Sequence, residues 1–237
     1  MPAGDVRGPV RTYHPRRSVL GPARQEALAT MWPSRGFWVD DPERPPPLTP
    51  DGTLDAEGLF GRVAPLVLEI GSGMGEAVLE MAQADPDRDY LAVEAHIPGV
   101  ASLLLRLEER GGCNVAVAVG DAIDLLRDRI APGSLDAVHA FFPDPWPKAR
   151  PHKRRLVAPD HVALIRSRLR PGGRLHCATD WQPYADEMLA ILAADGQLAN
   201  AFGGFAPRPA DRPVTKFERR AIAAGRPVAD VLVTRTG

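Results

Sequence analysis

Two stretches of this 237-residue chain carry side chains whose types and spacing can do chemistry. The first is Glu69-Ile-Gly71-Ser-Gly73-Met-Gly75-Glu76. Glycines at alternate positions let the backbone turn tightly and let a ligand approach it closely. A dinucleotide fingerprint would need its third glycine where Glu76 stands, and an acid at a helix start repels a phosphate. The loop therefore suits a nucleoside carrying an amino-acid moiety, and a nicotinamide-dependent oxidoreductase is disfavoured. Glu94 follows Gly75 by 19 residues, where a strand-end carboxylate can accept both hydroxyls of a ribose. Gly120-Asp121-Ala122 offers an acid and a small residue able to bracket an adenine amino edge, and Glu69 can face a cationic amino or sulfonium group.

The second stretch runs from Phe141 to Arg155 and reads FFPDPWPKARPHKRR. Prolines at 143, 145, 147 and 151 forbid regular helix and stiffen the loop. Between them lie a carboxylate (Asp144), a stacking face (Trp146) and, from Lys148 onward, a dense charge suited to phosphate.

Such residues need rigid elements to hold them, and the hydrophobic pattern supplies these. Apolar runs Leu66–Ile70, Tyr90–Val93, Val115–Val119, Leu135–Phe142 and Arg174–Ala178 read as strands. They alternate with helical patterns over Glu76–Ala84, Gly99–Arg110, Ala122–Arg129, His161–Leu169 and Tyr184–Ala194. That alternation predicts an α/β, Rossmann-like fold: a mostly parallel sheet with helices on both faces. Val228–Val233 reads as a last, antiparallel strand at or near an edge. Gly71, Gly73 and Gly75, then Glu94, then Asp121 and Ala122 fall at the carboxyl ends of successive strands, where such sheets bind ligands. Acids in that register are the pattern of an S-adenosylmethionine site. The proline-ruled loop after the fourth strand lies where a methyl acceptor would meet the cofactor.

Around this frame, residues 1–35 read as a flexible basic arm with a short helix around Ala23–Met31. Residues 36–237 read as a single catalytic domain with a Pro-rich loop at 41–53. The net charge of −1 speaks at first against a nucleic-acid partner. By segment it does not: residues 1–36 carry +4, 37–140 carry −12, 141–174 carry +7, 175–210 carry −3 and 211–237 carry +3. Acids dominate where a cationic cofactor would bind, and bases dominate the arm, the fourth-strand loop and the C-terminal segment. Two cysteines, Cys113 and Cys177, make neither a disulfide framework nor a metal site, so a cytoplasmic setting without metal is expected. No apolar run is long enough for a bilayer and no secretory signal is present, so no membrane association is expected. Nothing in the sequence calls for an obligate protein partner; a monomer or homodimer is expected.

The residues quoted so far, together with Val93-Glu-Ala-His-Ile-Pro-Gly-Val100, Ala178-Thr-Asp180-Trp-Gln-Pro-Tyr184 and Thr215-Lys-Phe-Glu218, resemble the tRNA (guanine-N7)-methyltransferase family over residues 68 to about 230. Arg220 fits the family continuation x-Arg-Gly, but Ala221 stands where its glycine is expected. The resemblance implies a class I methyltransferase fold and methyl transfer from S-adenosylmethionine to N7 of guanosine 46 in the tRNA variable loop. It implies that Glu69, Glu94, Asp121 and Asp144 contact or border the cofactor, with Asp144 as the active-site residue. It places Lys148, Asp180 and Thr215, Lys216, Phe217 and Glu218 on the tRNA, with Arg150, Lys153, Arg154 and Arg155 along its backbone.

Guanine N7 has an available lone pair and no proton to lose, so attack on a sulfonium methyl needs alignment and electrostatics rather than a general base. His96 and His152 are then not needed as bases. Asp144 is expected beside the reacting atoms and Asp180 on the base edge; Asp180 is alternatively a helix N-cap. Two other readings stay open at this point: a methyltransferase acting on adenine N6 or another nucleobase, and a non-catalytic RNA-binding protein that keeps the fold.

Overall fold

The computed structural model of the protein describes residues 19–112, 114–146 and 154–237. Its strands are β1 (Gly36–Trp38), β2 (Leu66–Ile70), β3 (Asp89–Glu94), β4 (Val115–Val119), β5 (Leu135–Phe141), β6 (Leu169–Thr179), β7 (Leu198–Ala199) and β8 (Ala229–Arg235). They form one sheet in the order β1-β4-β3-β2-β5-β6-β8-β7. The pairs from β1 through β6 are parallel, and β8 is antiparallel to both β6 and β7. After β4 the chain crosses to the other side of β2 to lay down β5. This reversal of strand order opens a crevice at the carboxyl ends of β2 and β5, the usual ligand position in such sheets.

The helices are α1 (Pro22–Arg35), α2 (Ala56–Phe60), α3 (Glu76–Ala84), α4 (Ile97–Arg110), α5 (Ala122–Asp128), α6 (Pro159–Arg168), α7 (Gln182–Ala194) and α8 (Lys216–Ala223). Side chains alternate across each strand, so each face of the sheet has its own core. Leu66, Leu68 and Ile70 of β2 pack with residues of α5, α6 and α7, whereas Val67 packs with α1, α3 and α4. Glu69, two residues after Val67, points to that second face. Among the described residues, no apolar helix comparable to α4 covers this face over β5, β6 and β8. Segment 206–228 covers it, carrying α8 and a set of buried charges.

The predicted arm needs correction. Pro22–Arg35 is helical and belongs to the domain: α1 packs on α4, Ala27 is fully buried, and Thr30 donates to Glu108. Its sequence has weak helical periodicity and an internal Pro33, so packing on α4, β1 and β4 is what makes it a stable element. Residues 1–18 lie outside the described residues. The short helix expected around Ala23–Met31 lies within α1, but β1, β7 and α2 were not foreseen. At two to five residues each, they are too short to show a period.

Candidate active site

The crevice holds a cavity of about 230 Å³ whose wall includes Gly71, Gly73, Glu94, Gly120, Ala122, Phe142, Asp144, Arg154 and Phe217. A smaller space of about 60 Å³ adjoins it, sharing Gly71, Gly73, Phe142 and Phe217 and adding Glu69, Ser72, Thr215 and Lys216. A third, of about 190 Å³, lies beyond Ala95 and Gly120 and is bordered by Trp38, Asp40, Asp121 and Asp124.

The glycine loop divides its work. Gly73 has φ 57°, and a Cβ there would meet open space, so the loop leaves room for a ligand against bare backbone. Gly75 lines none of these spaces: at φ 78° it opens α3, and a Cβ on it would fall 2.5 Å from Leu103. Its part in the predicted cofactor set is therefore packing of the loop on α4. Glu94 Oε2 accepts from the Gly73 N–H at 2.8 Å, while Oε1 accepts from the Ala95 and His96 N–H groups. This ties the end of β3 to the loop. Burial raises the Glu94 pKa, and these backbone donors only partly offset it.

Glu69 is buried, and its Oε2 has no hydrogen-bond partner among the described residues. Burial, and then the neighbouring Glu94 charge, pushes its pKa up to about 8. Ser72 Oγ, in the same small space, is likewise buried without a partner. A buried acceptor and a buried hydroxyl left unmatched are costly unless a ligand completes them. The amino and carboxylate groups of a methionine moiety would complete both. S-adenosylmethionine therefore fits: its amino acid would face Glu69 and Ser72, its ribose Glu94 and its adenine Ala122, with Asp121 bordering the adjoining third space. Ser72 was not singled out from the sequence, because a serine between two glycines has no distinctive spacing. Asp121 sits in the third space, and its carboxylate caps α5 by accepting from Ile123 N–H at 2.9 Å.

A family described as "Putative methyltransferase" matches residues 63–231. The tRNA (guanine-N(7)-)-methyltransferase of Halorhodospira halophila is 50% identical over 224 residues, covering 94% of this chain and 93% of that protein. The protein of the same name from Paraburkholderia xenovorans is 48% identical, over 100% of this chain and 90% of its own. The chain belongs to the tRNA (guanine-N7)-methyltransferase family. Among solved structures, the 16S rRNA methyltransferase KamB superposes with a TM-score of 0.59 at 17% identity, covering 82% of this chain and 97% of that one. At that identity it speaks for the fold alone. Among the described residues no helix is long and apolar enough to cross a membrane.

In this member of the tRNA (guanine-N7)-methyltransferase family the loop after β5 lines the cavity through Phe142, Pro143 and Asp144. Asp144 is exposed at the cavity wall and is flanked by two aromatic residues in the left-handed region, Phe142 (φ 54°) and Trp146 (φ 42°). Phe142, Asp144 and Trp146 each precede a proline, which closes the right-handed helical region to them. The backbone strain, on the order of 1–3 kcal/mol per such residue, stays because the loop is anchored at Phe142 N–H to Ala178 O, 2.7 Å. Arg154 lines the cavity, its guanidinium 5.2 Å from the Trp146 ring centroid. Lys148, Arg150 and Lys153 lie outside the described residues.

Four of the remaining assignments land differently. Arg155 is buried rather than facing a polyanion: it ion-pairs with Glu187, donates to Pro145 O and lies over Tyr184. Glu218 is also buried, ion-paired to Arg208 and Arg212. Burial works against its charge, but the two guanidiniums outweigh that and hold its carboxyl below the usual range. Thr215 caps α8 by accepting from Glu218 N–H at 3.1 Å. Asp180 is not a helix cap, since Trp181 takes that place in α7; its carboxylate pairs with Arg226 at 2.9 Å. Of the Thr215–Glu218 run, Thr215, Lys216 and Phe217 line the cavities and Glu218 turns inward, with Phe217 stacked on Phe142, centroids 6.0 Å apart.

Proposed function

We propose that this protein transfers the methyl group of S-adenosylmethionine to N7 of guanosine 46 in the tRNA variable loop, leaving 7-methylguanosine and S-adenosylhomocysteine. The observation that carries the reading is the unmatched, buried Glu69 carboxyl in the small space that adjoins the cavity whose rim presents Asp144. Acid inside and base outside match a cationic cofactor and a polyanionic acceptor. Bound there, S-adenosylmethionine supplies an electrophilic methyl on a positively charged sulfur.

The chain's own part is positioning. Glu69 and Ser72 hold the amino-acid end, Glu94 the ribose, and Ala122 with Asp121 the adenine. Phe142 and Phe217 wall the space between the two cavities, excluding water from the reacting line. As the N7 lone pair forms its bond to carbon, the carbon–sulfur pair returns to sulfur and the purine becomes cationic; no proton leaves. Asp144 meets that growing charge, so its interaction strengthens on the way to the transition state. His139 is no candidate base, because burial holds its pKa down to about 3. Asp180 takes the guanine N1–H and amine, and Arg154 with Lys148, Arg150 and Lys153 takes phosphates. The enzyme acts in the cytoplasm without an obligate protein partner, as a monomer or homodimer.

The test is incubation with methyl-labelled S-adenosylmethionine and unmodified tRNA, followed by nucleoside analysis and mapping of the label. 7-Methylguanosine in the variable loop is expected. Label on adenine, or binding of cofactor and tRNA without transfer, would overturn the reading.

A further inference from the structure

Beneath α8, away from the cavity surface, lies a cluster of buried charge that the reaction itself does not use. Arg212 is fully buried. Its Nη1 donates to Glu218 Oε2 at 2.7 Å and its Nη2 to Oε1 at 3.1 Å, a bidentate fork. Nη2 also donates to Asp230 Oδ2 at 3.1 Å. Nε lies 2.8 Å from Asp230 Oδ1 but off the line of its N–H, so that contact is one of charge only. Arg208 Nε donates to Glu218 Oε1 at 2.7 Å, and His176 Nε2 lies 2.7 Å from Asp230 Oδ1. The same guanidinium sits over Phe141, a residue of the cavity wall.

The ends of this chain of contacts matter. Asp230 and His176 stand on β8 and β6, two directly paired strands of the rigid sheet. Glu218 stands in the first turn of α8, next to Lys216 and Phe217, which reach the cavities. A buried ion cluster is poor value for stability alone, because apolar packing of the same volume is often as stable or more so. What a guanidinium fork adds is direction, since two parallel hydrogen bonds fix the angle and register of the carboxylate they hold.

We propose that Arg212 is a positioning residue for methyl transfer: its grip on Glu218 fixes the Lys216–Phe217 edge of α8 over the reaction cavity. This rests on the activity proposed above. Wild-type enzyme that makes no 7-methylguanosine would therefore fail that activity, while the comparison below fails only Arg212. Arg212→Lys keeps the charge and loses the fork. Its kcat is expected to fall about 10- to 100-fold, the effect of a reacting group displaced by around an ångström. KM for tRNA is expected to stay within about threefold, because the phosphate contacts are untouched. A double-mutant cycle with Phe217→Leu reads the route of the effect. If Arg212 acts through α8, the double variant is no more than about twofold slower than Arg212→Lys alone. Multiplying effects, or Arg212→Lys with full kcat, would overturn the proposal. Should Arg212→Lys not fold, Glu218→Gln keeps the shape of the clasped side chain and is read in the same cycle against the same two outcomes.

Discussion

The two walls of the cavity are built by opposite electrostatic means. On the cofactor wall, Glu69 and Glu94 stand at the ends of apolar, buried strands; burial raises both pKa values, and the Glu94 charge adds to the rise at Glu69. Among the described residues of the acceptor wall, buried charges are matched: Arg212 with Glu218 and Asp230, Arg155 with Glu187. There the charges that stay open, Asp144 and Arg154, are at the rim. The difference teaches how a chain of net charge −1 serves two charged ligands. One wall is left electrically incomplete so that a cation completes it. The other completes itself and spends only its outermost groups on the nucleic acid.

The strongest way to break this contrast is Asp144→Ala. If the rim carboxylate meets charge formed only in the transition state, methylation should fall by about 100-fold or more while folding and cofactor affinity persist. Asp144 has no packing role that would confuse the result, being exposed. A variant retaining full kcat would remove Asp144 from the chemistry.

The cofactor wall should reveal itself through pH. The Glu69 carboxyl moves from an ordinary 4.5 to about 8 on folding. Between those values the folded, ligand-free protein holds a proton that the unfolded chain has lost. The stability from this group is thus complete below 4.5 and is lost as pH rises through about 8. A bound ammonium reverses the balance by favouring the carboxylate, so cofactor binding should expel a proton. Affinity should climb toward pH 8 with a limiting slope of about tenfold per unit. Calorimetry in buffers of different ionisation heat measures the released proton directly. Glu69→Gln should flatten the profile; an unchanged slope would show that another group titrates.

The acceptor wall predicts a split between neighbours. Arg155→Ala removes a buried ion pair, a hydrogen bond to Pro145 O and the contact with Tyr184, and should lower stability by about 1–3 kcal/mol. Arg154→Ala should leave the melting transition in place and reduce the salt dependence of tRNA binding by about one counterion. Equal stability losses, or equal salt slopes, would erase the distinction between inner and outer arginines.

The cofactor wall was largely legible in the sequence because its parts are local. Leu66–Ile70, Glu76–Ala84 and Val115–Val119 form where the pattern places them, residue for residue, and the acids follow from strand ends. The acceptor wall was legible only as composition. Arg154 and Arg155 are adjacent, yet one faces the cavity and the other Glu187, 32 residues on. Glu218 shares a motif with Phe217 but turns inward, toward Arg208 and Arg212 on a coil segment that Arg212 ties in turn to Asp230 of β8. Which way a side chain points on an irregular loop depends on pairings distant in sequence, and periodicity carries no information about these.

The smallest expected effect concerns Asp180, which can belong to either wall. It pairs with Arg226 across a partly exposed contact, and such pairs contribute about 0–1 kcal/mol. If that pairing is its whole purpose, Asp180→Asn and Arg226→Ala should cost the same. If the carboxylate leaves Arg226 to receive the guanine N1–H and amine, the two separate. Asp180→Asn then loses about 1 kcal/mol of transition-state binding, roughly fivefold in kcat/KM, because an amide presents a donor to a donor. Arg226→Ala removes a competitor for the carboxylate and should change kcat/KM by no more than about twofold. The ratio of the two effects, measured on the same tRNA, therefore decides whether Asp180 is a structural partner or an open acid of the rim.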